Sequence, residues 1–162
     1  MIFVCIGSRD YQFDRLIKKI DDLVADGSIK EKVVAQIGAS EYIPEHVEWH
    51  RFLDRDVFSK YQEEASLIIS HGGTGALIGA LKKGKQVIAV PRLAKYGEHI
   101  DDHQTQVSGV LDKMGYLRMV LDMETMGETI QKCQTDPITK KYDIPSNVIS
   151  IIEKKIETWF GN

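Results

Sequence analysis

No stretch of this chain approaches the ~18 uninterrupted apolar residues that a membrane-crossing helix needs, so no part of it is expected to span a bilayer. An excess of positive charge is lacking as well. A formal net charge of -3 gives no general attraction for a polyanion, which argues against nucleic acid as a ligand. The two cysteines, Cys5 and Cys133, are far apart and lack CxxC spacing; they read as ordinary buried thiols in a reduced, cytoplasmic setting. The opening MIFVCIGSRD lacks the basic and long apolar parts of a secretory signal and reads as a strand that begins at once. Internal repeats and low-complexity linkers are missing too. What remains is 162 residues, 43% hydrophobic and 28% charged, the length and composition of one globular domain with a proper core.

Short apolar runs alternate with helical periodicity along the chain. Residues 2–6 form an apolar run closed by Gly7, as suits a strand buried on both faces. Phe13, Leu16, Ile17, Ile20, Leu23 and Val24 recur at helical spacing before Gly27. Residues 33–37, 47–52, 67–70, 86–90 and 117–121 read as further strands. Helices are expected from a cap at Asp54 or Asp56 to about 65, from the glycines at 72–75 to about 83, over about 102–114 and over 124–133. In the helix over about 102–114, Val107, Val110, Leu111 and Met114 would share one face. Strand–helix alternation over short links predicts a single Rossmann-like α/β domain with a parallel sheet of about six strands. Its body is expected over 1–134. The looser segment 135–145 leads to a last helix that starts at Pro145, carries Val148, Ile149, Ile152, Ile156, Trp159 and Phe160 as one apolar stripe, and packs on the domain or on a partner.

Ligands of such sheets bind beyond the carboxyl ends of the strands. Gly7-Ser8, Phe52-Leu53, His71 to Gly75 and the long loop from Pro91 to Asp101 fall there. Gly72, Gly73 and Gly75 stand between a buried strand and a helix start. Backbone N–H groups can approach an anion there without Cβ interference, the helix dipole adds positive charge, and Thr74 supplies a hydroxyl. The same cluster also suits a tight turn with no ligand. It is neither GxGxxG nor followed by a Walker lysine, which disfavours NAD and ATP hydrolysis. His99 and His103, with Asp101 and Asp102 between them, suit a metal pair only if a helix already begins at His99. Asp102, His103 and Gln104 at a helix start equally suit a polyhydroxylated ligand, and either aspartate suits a plain N-cap.

Taken together, Ser70-His71-Gly72-Gly73-Thr74-Gly75, Gly84-Lys85, Val90-Pro91 and Asp102-His103-Gln104 resemble the C-terminal domain of glycosyltransferase family 28. The opening residues 2–20 are similar to its free-standing form, the catalytic subunit type of the split eukaryotic UDP-GlcNAc transferase. The segment from Pro91 to His99 is similar to bacterial capsule and exopolysaccharide subunits of the PssE/EpsF type. The resemblance covers about residues 1 to 121 and is strongest over 66 to 110. It implies the C-terminal half of a GT-B glycosyltransferase, without a metal cofactor, that uses a UDP-sugar. The diphosphate would meet His71, Gly72, Gly73, Thr74 and Gly75, the uracil Phe52 and Leu53, and the transferred sugar Asp102, His103 and Gln104. Gly7 and Ser8 would face the diphosphate and acceptor. His71 and His103 are the candidates for a catalytic base.

The family usually carries a glutamate for the ribose hydroxyls in the helix after the glycine loop; that position is Gly79 here. The resemblance further implies an acceptor half on a membrane-anchored partner, which would recruit this chain to the inner face of the membrane. The reaction would be inverting transfer of a sugar to a lipid-linked saccharide. A non-catalytic regulatory or scaffold subunit and, more remotely, a metal-dependent hydrolase are the competing readings.

Overall fold

The first strand, β1 (Ile2–Cys5), is buried on both sides because every residue in it is apolar. In the computed structural model it lies at the centre of a six-stranded, all-parallel sheet. The others are β2 (Val33–Gln36), β3 (Glu48–His50), β4 (Leu67–His71), β5 (Gln86–Val90) and β6 (Arg118–Met119), in the order β3-β2-β1-β4-β5-β6. Ile2 lies opposite both Val33 and Leu67, and Cys5 lies opposite Ser70, so the three central strands end level at their carboxyl edge. The structure describes residues 1–160, without the side chains of 156, 159 and 160.

Alternation along β1 divides the core. Ile2, Val4 and Ile6 face α1 (Asp14–Ala25) and α5 (Met126–Thr135), where Leu16, Ile17, Ile20, Met126 and Ile130 complete one cluster. Phe3 and Cys5 point to the other layer, formed by α2 (Arg55–Glu64), α3 (Thr74–Lys82), α4 (Gln104–Lys113) and α6 (Ser146–Phe160). Cys5 and Cys133 are free and buried. Asp54 caps α2 by accepting from the Val57 N–H. Among the described residues, no helix is long and apolar enough to cross a membrane.

Some expected boundaries move. The strands expected over 47–52 and 117–121 shrink to three and two residues because each is an edge strand with a single neighbour to pair with. The helix expected from about 102 starts at Gln104, and the face that it buries is Val107, Ser108 and Leu111; Met114, the residue after its last turn, is 40% exposed. The stripe expected on α6 also divides. Ile149 is buried and Ile152 packs on the same layer as Leu77 and Leu111, whereas Val148 and Ile151 face outward. The expected continuation through Ile156, Trp159 and Phe160 lies outside the described side chains.

Candidate functional site

Chain direction reverses between β1 and β4. After β1 the chain moves towards β2 and β3, and after β4 towards β5 and β6, so the crevice at their carboxyl ends is the switch point of the sheet. A cavity of about 540 Å³ opens there, walled by the turns after β1 and β4, the loop after β5 and the start of α4. Gly7, Ser8, His71, Gly72, Gly73, Thr74, His103 and Gln104 line it, together with Arg9, Arg92, His99, Ile100, Asp101 and Glu157.

The two glycine turns meet on one imidazole. Gly7 has a left-handed backbone (φ +81°), and a Cβ there would stand 2.7 Å from His71 Nε2. A Cβ on Gly73 would stand 2.3 Å from the same nitrogen, and one on Gly72 would stand 2.6 Å from the Cβ of Gln104. Glycine at 72 and 73 is thus a matter of space. Gly75 and Gly79 are different: nothing stands within 4 Å of a Cβ at either. Gly73 precedes α3 with no side-chain cap, and it lines the cavity together with Thr74, the first residue of the helix.

Burial, and next the positive charge of Arg92, push the His71 imidazole down to about 4. His71 is therefore neutral at ordinary pH and meets an anion as a hydrogen-bonding group rather than as a cation. Positive charge comes from arginines instead. Arg92 is only 2% exposed. It donates through Nη1 to the carbonyls of Tyr11, Gln12 and Glu98 at 3.0–3.2 Å, and through Nη2 to Ile6 O. Arg9, in the loop after β1, stands at the rim.

Other expected residues do not reach this wall. The Asp102 carboxylate accepts from the Ala94 N–H at 2.8 Å, within the loop after β5, and is spent there. Phe52 and Leu53 follow the edge strand β3, two strands away from β1; Phe52 is 54% exposed, and the Leu53 N–H donates to Gln36 Oε1. Gly75 lines a separate cleft of about 370 Å³ between α3 and α6, shared with Gly79, Tyr142, Ser150 and Glu153. Gln104 lines the cavity, but its Oε1 accepts from the Arg92 backbone N–H at 3.1 Å. His99 precedes α4, so the one-turn spacing needed for a metal pair with His103 does not form. Among the described residues no group of three His, Cys, Asp or Glu is placed to hold a metal.

Arg9, Arg92 and Glu157 are the cavity residues missed by sequence reasoning. For Arg92 a signal existed: a charged residue two positions after the apolar run Val87-Ile88-Ala89-Val90, at the edge of the sheet where ligands bind. For Glu157 there was none, because only the packing of α6 brings it to the cavity.

Comparison with known proteins agrees with this geometry. Residues 1–155 match the glycosyltransferase family 28 C-terminal domain. The UDP-N-acetylglucosamine transferase subunit ALG13 of Homo sapiens is 30% identical over 125 residues, 72% of this chain. The chain spans about a tenth of the length of the curated relatives that it matches. In fold it is similar to the solution structure of ALG13, with a TM-score of 0.60 at 17% identity over 97% of this chain and 95% of that one. It is likewise similar to the spinosyn forosaminyltransferase SpnP, with a TM-score of 0.60 at 17% identity over 96% of this chain and 39% of that one. Its single α/β domain thus matches the C-terminal half of GT-B glycosyltransferases.

Proposed function

Because the chain belongs to the glycosyltransferase family 28 C-terminal domain family, we propose that it is the UDP-sugar-binding, catalytic subunit of a two-component inverting glycosyltransferase. The observation that carries this reading is the cavity at the switch point, where Gly72 and Gly73 bare the backbone beside the uncapped start of α3. That arrangement suits a diphosphate, and it would stabilise the leaving UDP as the bond to the sugar breaks. The acceptor hydroxyl adds to the anomeric carbon from the opposite face and passes its proton to a base. A neutral His71 that resists protonation is a weak base, so His103 or a group on the partner is the better candidate in this chain's reaction.

Ribose needs hydroxyl-binding groups that Gly79 lacks. The cleft between α3 and α6 supports Ser150 and Glu153 in that role, since it opens on the bare side of Gly75 and Gly79. A partner is supported by the human relative, which is a transferase subunit by name. We place the partner in the membrane as an acceptor-binding subunit, with a lipid-linked saccharide of capsule or exopolysaccharide synthesis as acceptor and this chain at the cytoplasmic face. The test is co-expression with such a subunit, scored for transfer of sugar from a UDP-sugar to a lipid-linked acceptor. UDP binding without consumption of UDP-sugar, with the partner present, would instead favour a regulatory or scaffold subunit, the reading that the glycine at 79 keeps in play.

A further inference from the structure

Arg92 is the least expected group in the cavity. Burying a guanidinium costs several kcal/mol unless opposite charge or hydrogen bonds offset it. Here the offset comes from carbonyls. The Arg92 fork holds Ile6, Tyr11 and Gln12 of the loop after β1 and Glu98 of the loop after β5, and its Cζ lies 4.9 Å from the centre of the Phe13 ring. The nearest carboxylate, Glu98, is itself 1% exposed and turned elsewhere. Its oxygens take Arg15 Nε at 2.6 Å, Arg15 Nη2 at 3.1 Å and the Leu93 N–H at 2.9 Å. Among the described residues no carboxylate hydrogen-bonds Arg92, which therefore keeps its positive charge at the wall of the cavity. The opposing charges on that wall are Asp101 and Glu157 at the exposed rim, where water screens them.

We infer that Arg92 is the fixed charge of the nucleotide site: it ties the loop after β1 to the loop after β5 and gives the cavity its preference for a second phosphate. The inference rests on the diphosphate reading above and names the residue that tunes it. Arg92 acts as a positioning and charge-setting residue. Its ties to four carbonyls hold the Gly7 turn against His71, and its charge favours UDP over UMP.

Calorimetric titration of the full chain with UDP and UMP tests this. Arg92→Gln is expected to lower the UDP-over-UMP preference about tenfold or more while changing UMP affinity by no more than about threefold. A parallel loss of both nucleotides, or an unchanged preference, would assign Arg92 a purely structural role and overturn the inference. Glu98→Gln is nearly isosteric and decides the matter should the first variant not fold. Removing the buried carboxylate whose field opposes Arg92 is expected to raise the preference about threefold; no rise, or a fall, overturns the inference. Wild-type protein that binds neither nucleotide would instead defeat the diphosphate reading itself, whatever Arg92 does.

Discussion

The two ends of the glycine-rich stretch that opens α3 look alike in one dimension and behave oppositely in three. At Gly72 and Gly73 an added methyl group collides with Gln104 or with the His71 ring, whereas at Gly75 and Gly79 it meets nothing. The first pair narrows the crevice by letting two loops and an imidazole touch. The second pair leaves a groove against α6 unfilled, where hydroxyls and a carboxylate from another helix line the space. Glycine therefore means close approach at one end and vacancy at the other, and only the first use needs glycine.

The largest effect expected from this contrast is at Gly73. Gly73→Val should lower UDP affinity about a hundredfold or more while the circular dichroism of the folded chain is retained. A folded variant with wild-type affinity would erase the difference between the two ends. Next comes acid. Because the folded imidazole of His71 lies near 4, below its usual 6.5, the unfolded chain binds more protons in between. The stability that the neutral ring confers is complete above about 6.5 and is lost as pH falls towards 4. Melting temperatures should drop across that window, and His71→Gln should flatten the drop; a profile unchanged by the substitution would show that the ring is not the group responsible.

Smaller effects are expected at the open end. Gly79→Glu has room and should strengthen UDP binding by up to about tenfold, because a carboxylate there reaches the cleft that we assign to ribose. A large loss of affinity would mean that ligand does not pass along this side of α3. The smallest change is Gly79→Ala, which should stabilise the fold by about 1 kcal/mol through helix propensity alone and leave UDP binding as it was. If calorimetry shows that this single methyl weakens UDP as strongly as Gly73→Val does, the two ends are equivalent after all.

Much of the fold was legible because its signals are local. β1 is apolar throughout, and β4 and β5 carry the runs Leu67-Ile68-Ile69 and Val87-Ile88-Ala89-Val90, the mark of strands buried on both faces. The edge strands β3 and β6 were overestimated, since an apolar pattern does not record how many neighbours a strand will find. In the site, His71, Gly72, Gly73, Thr74, His103 and Gln104 reach one cavity, and Gly75, Phe52, Leu53 and Asp102 do not. Phe52 and Leu53 were assigned to the uracil by resemblance, Asp102 also from its place at a helix start, and nothing in their neighbourhood along the chain records distance across the sheet. The Asp102 carboxylate meets Ala94, a loop partner eight residues away that periodicity does not reveal.

By itself, the sequence determined the element order, the parallel class of the sheet and the bare turn between β4 and α3, because hydrophobic period and glycine act on the nearest few residues of backbone. Tertiary structure alone decided that Arg92, from the end of β5, reaches under the loop after β1, that His71 is held neutral between two glycine turns, and that α6 returns to lay Glu153 beside Gly79. Each of these joins segments separated by tens of residues. They meet because the strand order sets β1 beside β4 and β4 beside β5, and burial there changes what a charge or an imidazole can do.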